Sequence, residues 1–147
     1  MPKPFVSPFA LAEHPAPAPF DLPNSPWQAM ARGARGYCPR CNDTRLFMRF
    51  LKPVSHCENC GQDWSLQRAD DFPAYVSIFL TGHLLVPFIG VLLLAFDMST
   101  AMVMAVLMPV AIAMLLAFLQ PAKGAVIAMQ WWLGMHGFKR ERPAGVD

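Results

Sequence analysis

Two uninterrupted apolar runs constrain this chain more than any other feature. Residues 74–96 and 98–119, of 23 and 22 residues, contain no Asp, Glu, Lys or Arg, and only Asp97 separates them. At 1.5 Å per residue, a helix built on either run crosses a hydrocarbon core of about 30 Å. Composition agrees: the chain is 54% hydrophobic and 15% charged, where soluble domains carry roughly 25% charged residues. The expectation is a small membrane protein whose two runs form a tight antiparallel transmembrane hairpin over 73–120. Eight Lys/Arg residues precede the first run, four follow the second, and none lies between them. By the positive-inside rule, both termini are then cytoplasmic and Asp97 is on the far side.

The four cysteines, Cys38, Cys41, Cys57 and Cys60, are spaced C-x2-C-x15-C-x2-C, inside the window of zinc ribbons. Each C-x-x-C turn bends two sulfurs toward one point, so two such turns close a tetrahedral site. Gly61 after the second pair and Asn42 after the first suit the positive φ that such turns need. Between them, 46–51 (LFMRFL) is β-prone, 53–55 begins a return strand, and Trp64 covers a small core. About 40 residues bury too little apolar surface to fold alone, so a structural Zn2+ is expected to supply folding free energy across 32–72. Iron fits the same four thiolates. Two disulfides would need an oxidising compartment, contrary to the cytoplasmic placement, and His56 is a competing ligand only if the four-cysteine shell is incomplete. Arg32, Arg35, Arg40, Arg45, Arg49 and Lys52 give this module a basic run opposed only by Asp43. Nucleic-acid binding would use such charge, but beside a bilayer the positive-inside bias and anionic headgroups explain it better.

Eight of the first 26 residues are proline, which stops both helix and sheet, so 1–31 reads as a disordered Pro-rich tail. At the other end, Pro121 suits a first helical turn and Gly137 a helix stop. Within 121–138, the stretch Gly124–Met135 is too short to span. The whole segment reads as an interfacial amphipathic helix, or as a bent extension of the second span, with Trp131 and Trp132 at the membrane surface and Lys123, Gln130, Gly134 and Gly137 as its polar stripe. A basic tail, 139–147, follows.

His83 lies in mid-span, and Pro87, four residues on, has no N–H to give its carbonyl. An ionisable residue in lipid suggests function: a hydrogen bond across the hairpin or to a partner helix, or ligation of copper or heme. Met104 and Met108 share a helix face and are soft ligands for copper, though methionine is also an adaptable apolar filler. Pro109 is expected to kink the second span, and Ala113 and Ala117 to pack on the first.

These blocks occur in one order: RGARGYCPRC (32–41), RLFMRFLK (45–52), CENCG (57–61), RADDFPAY (68–75), TGHLLVP (81–87), then PAKGAVIAMQWW (121–132) and MHGF (135–138). Together they resemble the bacterial membrane family called domain of unknown function 983, over about 32–138. Asn42 stands where that pattern often has glycine. The resemblance implies a multi-pass protein of the bacterial inner membrane. It also implies a neighbourhood, since family members are often encoded beside cytochrome c oxidase subunits and their assembly factors. Asp70 and Asp71, at the mouth of the first span, belong to the pattern; they can accept bonds from the preceding arginines, favour a helix N-terminus, or touch a partner. The expected function is non-catalytic: an accessory or assembly factor whose partners are the lipid bilayer and a respiratory oxidase or its assembly factors. The alternatives are copper or heme handling through His83 and the methionines, and membrane-tethered nucleic-acid binding. No nucleophile–base constellation or small-molecule site is visible, so an enzyme is not expected.

Overall fold

Ser25-Pro26-Trp27-Gln28 starts the first helix, α1 (Pro26–Ala34). The Ser25 hydroxyl accepts the Gln28 N–H at 3.2 Å, and the Gln28 side chain accepts the Asn24 N–H at 2.7 Å. This is a reciprocal capping arrangement, with proline at the first helical position. The computed structural model describes residues 20–96, 98–141 and 143. Most of the Pro-rich tail, Asp97 and part of the basic C-terminal tail therefore lie outside the described residues. The helix α1 begins inside 1–31 and corrects the expectation of a tail up to residue 31: the cap outweighs the prolines there.

A short antiparallel hairpin follows, β1 (Phe47–Arg49) paired with β2 (Lys52–Pro53), with a register irregularity between Phe47 and Arg49. Isolated bridges Tyr37–Arg45 and His56–Asp63 tie its flanks. The two long apolar helices are α2 (Phe72–Ala95) and α3 (Thr100–Leu133). Both are long and apolar enough to cross a bilayer. Ser99 caps α3 through its hydroxyl, which accepts the Met102 N–H at 3.4 Å.

The helix α3 has 34 residues and runs through Pro121 without a break. Of the two expectations for 121–138, the structure has the extension: Pro121 sits inside the helix, and no separate interfacial helix forms. The helix stops at Gly134 rather than Gly137, because Gly134 adopts the left-handed conformation (φ 68°) and its N–H reaches back to the carbonyls of Gln130 and Trp131. A single 3-10 turn, Met135–Gly137, then leads to Phe138.

The core joins the cysteine module to this second part of α3. Trp64 and Trp131 are fully buried and meet edge to face at 6.2 Å, and Phe138 lies 5.8 Å from Trp64. Leu46, Phe47, Ile127 and Ala128 complete the cluster. Trp131 and Trp132 are thus core residues, not the interfacial anchors the apolar flank suggested. The helix α1 lies along the same segment. Gly33 and Gly124 touch backbone to backbone, and a methyl group on either would collide with the carbonyl of the other.

The contact between α2 and α3 is of another kind. The Ser77 hydroxyl donates to the Leu115 carbonyl at 2.8 Å, and Pro73, Ser77, Thr81 and Leu92 are the buried residues of α2. Ala113 and Ala117 are exposed. The small residues that let the helices approach are Ser77 and Thr81, on the first helix rather than the second.

Candidate metal centre

Two C-x-x-C turns bring the cysteines together. Gly36 leaves α1 with φ 81° and turns the chain into the first knuckle. Asn42 (φ 56°) and Gly61 (φ 67°) close the two C-x-x-C turns in the left-handed region, where the Asn42 N–H donates to the Cys38 carbonyl and the Gly61 N–H to that of Cys57. The sulfurs of Cys38, Cys41, Cys57 and Cys60 all lie within 4.8 Å of one another. Two separations are 3.8 Å (Cys38–Cys60) and 3.6 Å (Cys41–Cys57). All four are free thiols, and these distances far exceed an S–S bond of about 2.05 Å. A tetrahedron of thiolates at about 2.3 Å from one ion has edges of about 3.8 Å. The donor set therefore fits a metal closed off by four protein ligands.

Supporting donors surround the sulfurs. The Cys60 N–H lies 3.5 Å from Cys57 Sγ, and the Thr44 hydroxyl 2.9 Å from the same atom. Cys38, Cys41 and Cys57 are buried and Cys60 is partly exposed. The Cys60 thiol is held down to about 5, chiefly because the Cys38 thiol donates to it, with the Gln62 N–H and Arg40 adding to the effect. Cys38 is pushed up by that same bond and by burial, and burial also raises Cys57.

The basic run is only partly available to a ligand. Arg32 is buried; it donates to the Asp21 carboxylate at 2.8 Å and to the Asp21 carbonyl at 2.6 Å. Arg40 pairs with Glu141, donates to the Cys60 carbonyl at 2.9 Å and lies over the Phe20 ring. These two arginines clamp the module to the segments before and after it. Arg35, Arg45, Arg49 and Lys52 remain exposed.

A contact that the sequence reading missed fixes the module onto α3. The Gln130 side-chain carbonyl accepts the Arg68 N–H at 3.0 Å, and its amide donates to the Arg68 carbonyl at 2.8 Å. Gln130, assigned above to a solvated polar stripe, is buried against the module. Two signals could have pointed to this docking: Gly33 and Gly124 each sit inside a helix, where glycine costs about 1 kcal/mol unless a close approach needs it.

The remaining candidates stand apart from the cysteines. Asp70 and Asp71 are exposed; Asp71 occupies the N-cap of α2 without a side-chain cap bond, and neither carboxylate binds an arginine among the described residues. His83 is on the face of α2 opposite α3, two residues and so about 200° round from buried Thr81. Its Nδ1 lies 2.9 Å from the Phe79 carbonyl. Among the described residues it makes no bond across the hairpin to α3.

Residues 47–131, more than half of the chain, match the family described as "Protein of unknown function (DUF983)". The match is narrower than the ordered blocks and begins after Cys38 and Cys41. No curated protein and no solved structure matches the chain.

Proposed function

The chain belongs to the DUF983 family, and from that premise we propose that it is a non-catalytic accessory protein of the bacterial inner membrane. In this reading α2 and α3 span the bilayer with both termini in the cytoplasm, and the four cysteines hold a structural Zn2+. The ribbon they close is the cytoplasmic contact with a respiratory oxidase or one of its assembly factors. The observation that supports it best is the continuity of α3. One helix carries an outward apolar surface in its first part and the docked cysteine module in its last, so a partner in the membrane and a partner in the cytoplasm can engage one body. A four-thiolate shell leaves no open coordination position, which fits a structural metal better than a reacting one.

The test is purification of the tagged full-length chain from native membranes, with metal analysis and identification of the co-purifying subunits. One zinc per chain and oxidase or assembly-factor subunits in fixed ratio are expected, with the subunits lost from the Cys57→Ser, Cys60→Ser double variant. Iron in place of zinc revises the metal. A metal-loaded protein that brings no respiratory subunit overturns the assigned partner.

A further inference from the structure

The outward face of α2 carries a polar atom that is not paired among the described residues. His83 sits in a shallow groove of about 430 Å3 formed with Ile78, Phe79, Gly82, Val86 and Pro87. Its ring is held in place: Nδ1 lies 2.9 Å from the Phe79 carbonyl, and the Phe79 ring is tilted against it at 39° with centroids 4.0 Å apart. A carbonyl can only accept, so Nδ1 carries the proton of this contact, and in the uncharged ring Nε2 presents a lone pair. A second acceptor lies beside it, because Pro87 has no N–H for the His83 carbonyl. Two acceptors without donors therefore share one apolar notch, on the side of α2 facing away from α3.

Lipid tails supply no donor, and unsatisfied polar groups in hydrocarbon are costly. A metal ion needs further ligands, and among the described residues the cysteine cluster is the one group of three or more His, Cys, Asp or Glu side chains placed to hold one. A second copy does not answer the need either. A two-fold axis along the bilayer normal sets His83 against His83, acceptor facing acceptor. The middle of α3, residues 104–114, offers only Met, Ala, Val, Leu, Pro and Ile. Ser77 and Thr81 are turned toward α3.

We infer that the groove around His83 receives a transmembrane helix of a different membrane protein, one that presents a side-chain N–H or O–H donor at mid-membrane to His83 Nε2. Gly82 gives that helix room for close approach, and the ring is oriented before it arrives. This inference rests on the membrane-spanning reading and names the surface through which such an accessory protein engages its partner in the bilayer.

The experiment uses the full, metal-loaded chain in lipid nanodiscs and two synthetic 22-residue leucine-rich helices, one with a central Asn and one with Leu in its place. Energy transfer measures association, and 15N spectra of labelled histidine report Nε2. The Asn helix should bind about 3- to 30-fold more tightly than the Leu helix, the range that interhelical hydrogen bonds in lipid allow. The Nε2 resonance should shift only with the Asn helix. His83→Leu should erase the preference, and His83→Gln, which keeps an acceptor, should retain part of it. Equal binding of the two helices, an Asn preference that survives in His83→Leu, or His83-dependent pairing of the chain with itself overturns the inference. Amide exchange of 76–94 in the same nanodiscs is the separate check. Free exchange there sinks the spanning reading, whereas protection without an Asn preference sinks only the docking site.

Discussion

The two parts of α3 pack by opposite rules. In the last third, Ile127, Ala128, Trp131 and Trp132 are buried, and the large apolar side chains face inward onto the ribbon. In the first two thirds, Met104, Met108, Ile112 and Leu116 face outward, as do Val86 and Leu94 of α2 (69% and 91% exposed). Between α2 and α3 the buried set includes Ser77 and Thr81. An apolar side chain gains from burial only where the alternative is water. Where the surroundings are lipid, small and polar residues make the better interface, because they permit close approach and interhelical hydrogen bonds. The reversal along one helix separates its ribbon-bearing part from its outward apolar part without reference to charge.

The largest effect should come from loss of the proposed Zn2+. Replacing Cys57 and Cys60 together by Ser should remove the ion and with it a contribution on the order of 10–16 kcal/mol at neutral pH. Emission from Trp64 and Trp131 should move to the red, while the helical signal of α2 and α3 in detergent or lipid persists. If the hairpin unfolds with the ribbon, the two regions are one cooperative unit and the contrast fails. Next, Gly124→Leu forces a side chain into the Gly33 backbone. It should destabilise the ribbon end by at least about 3 kcal/mol, since such a contact cannot relax by a change of rotamer; urea titration followed by tryptophan emission measures this. A smaller loss, about 1–3 kcal/mol, is expected for Gln130→Leu, which leaves the Arg68 N–H and carbonyl without their partner. Faster amide exchange at Arg68 should accompany it. Smallest are the hairpin changes. Ser77→Ala should cost about 0.6 kcal/mol in a lipid unfolding assay. Thr81→Val should be neutral or slightly stabilising, because the Thr81 hydroxyl is buried without a partner.

The parts legible in the sequence were those with a local signature. The apolar runs place α2 and α3, the C-x2-C pairs bring four sulfurs together, and Asn42 and Gly61 adopt the positive φ that their turns need. The β-prone run and Trp64 also fall where they were expected. What could not be read was pairing between distant segments. Gln130 looks solvated until Arg68 is placed beside it, and Trp131 and Trp132 look interfacial until Trp64 supplies a wall. The start of α1 was local and was missed: Ser25-Pro26-Trp27-Gln28 is a capping signature hidden by the surrounding prolines. The face of His83 follows from a helical count, but which face meets α3 depends on the Ser77–Leu115 contact.

The unbroken run of α3 also makes the molecule a pointer. Its 34 residues form a rod about 51 Å long, and from Val110 to Trp131 the arm is about 32 Å. A tilt of about 10° around the middle of the apolar section then swings the ribbon sideways by about 6 Å. Because the Gly33–Gly124 contact and the Gln130–Arg68 pair leave the ribbon little play on that arm, a neighbour that leans on the outward apolar end moves the cysteine end in proportion.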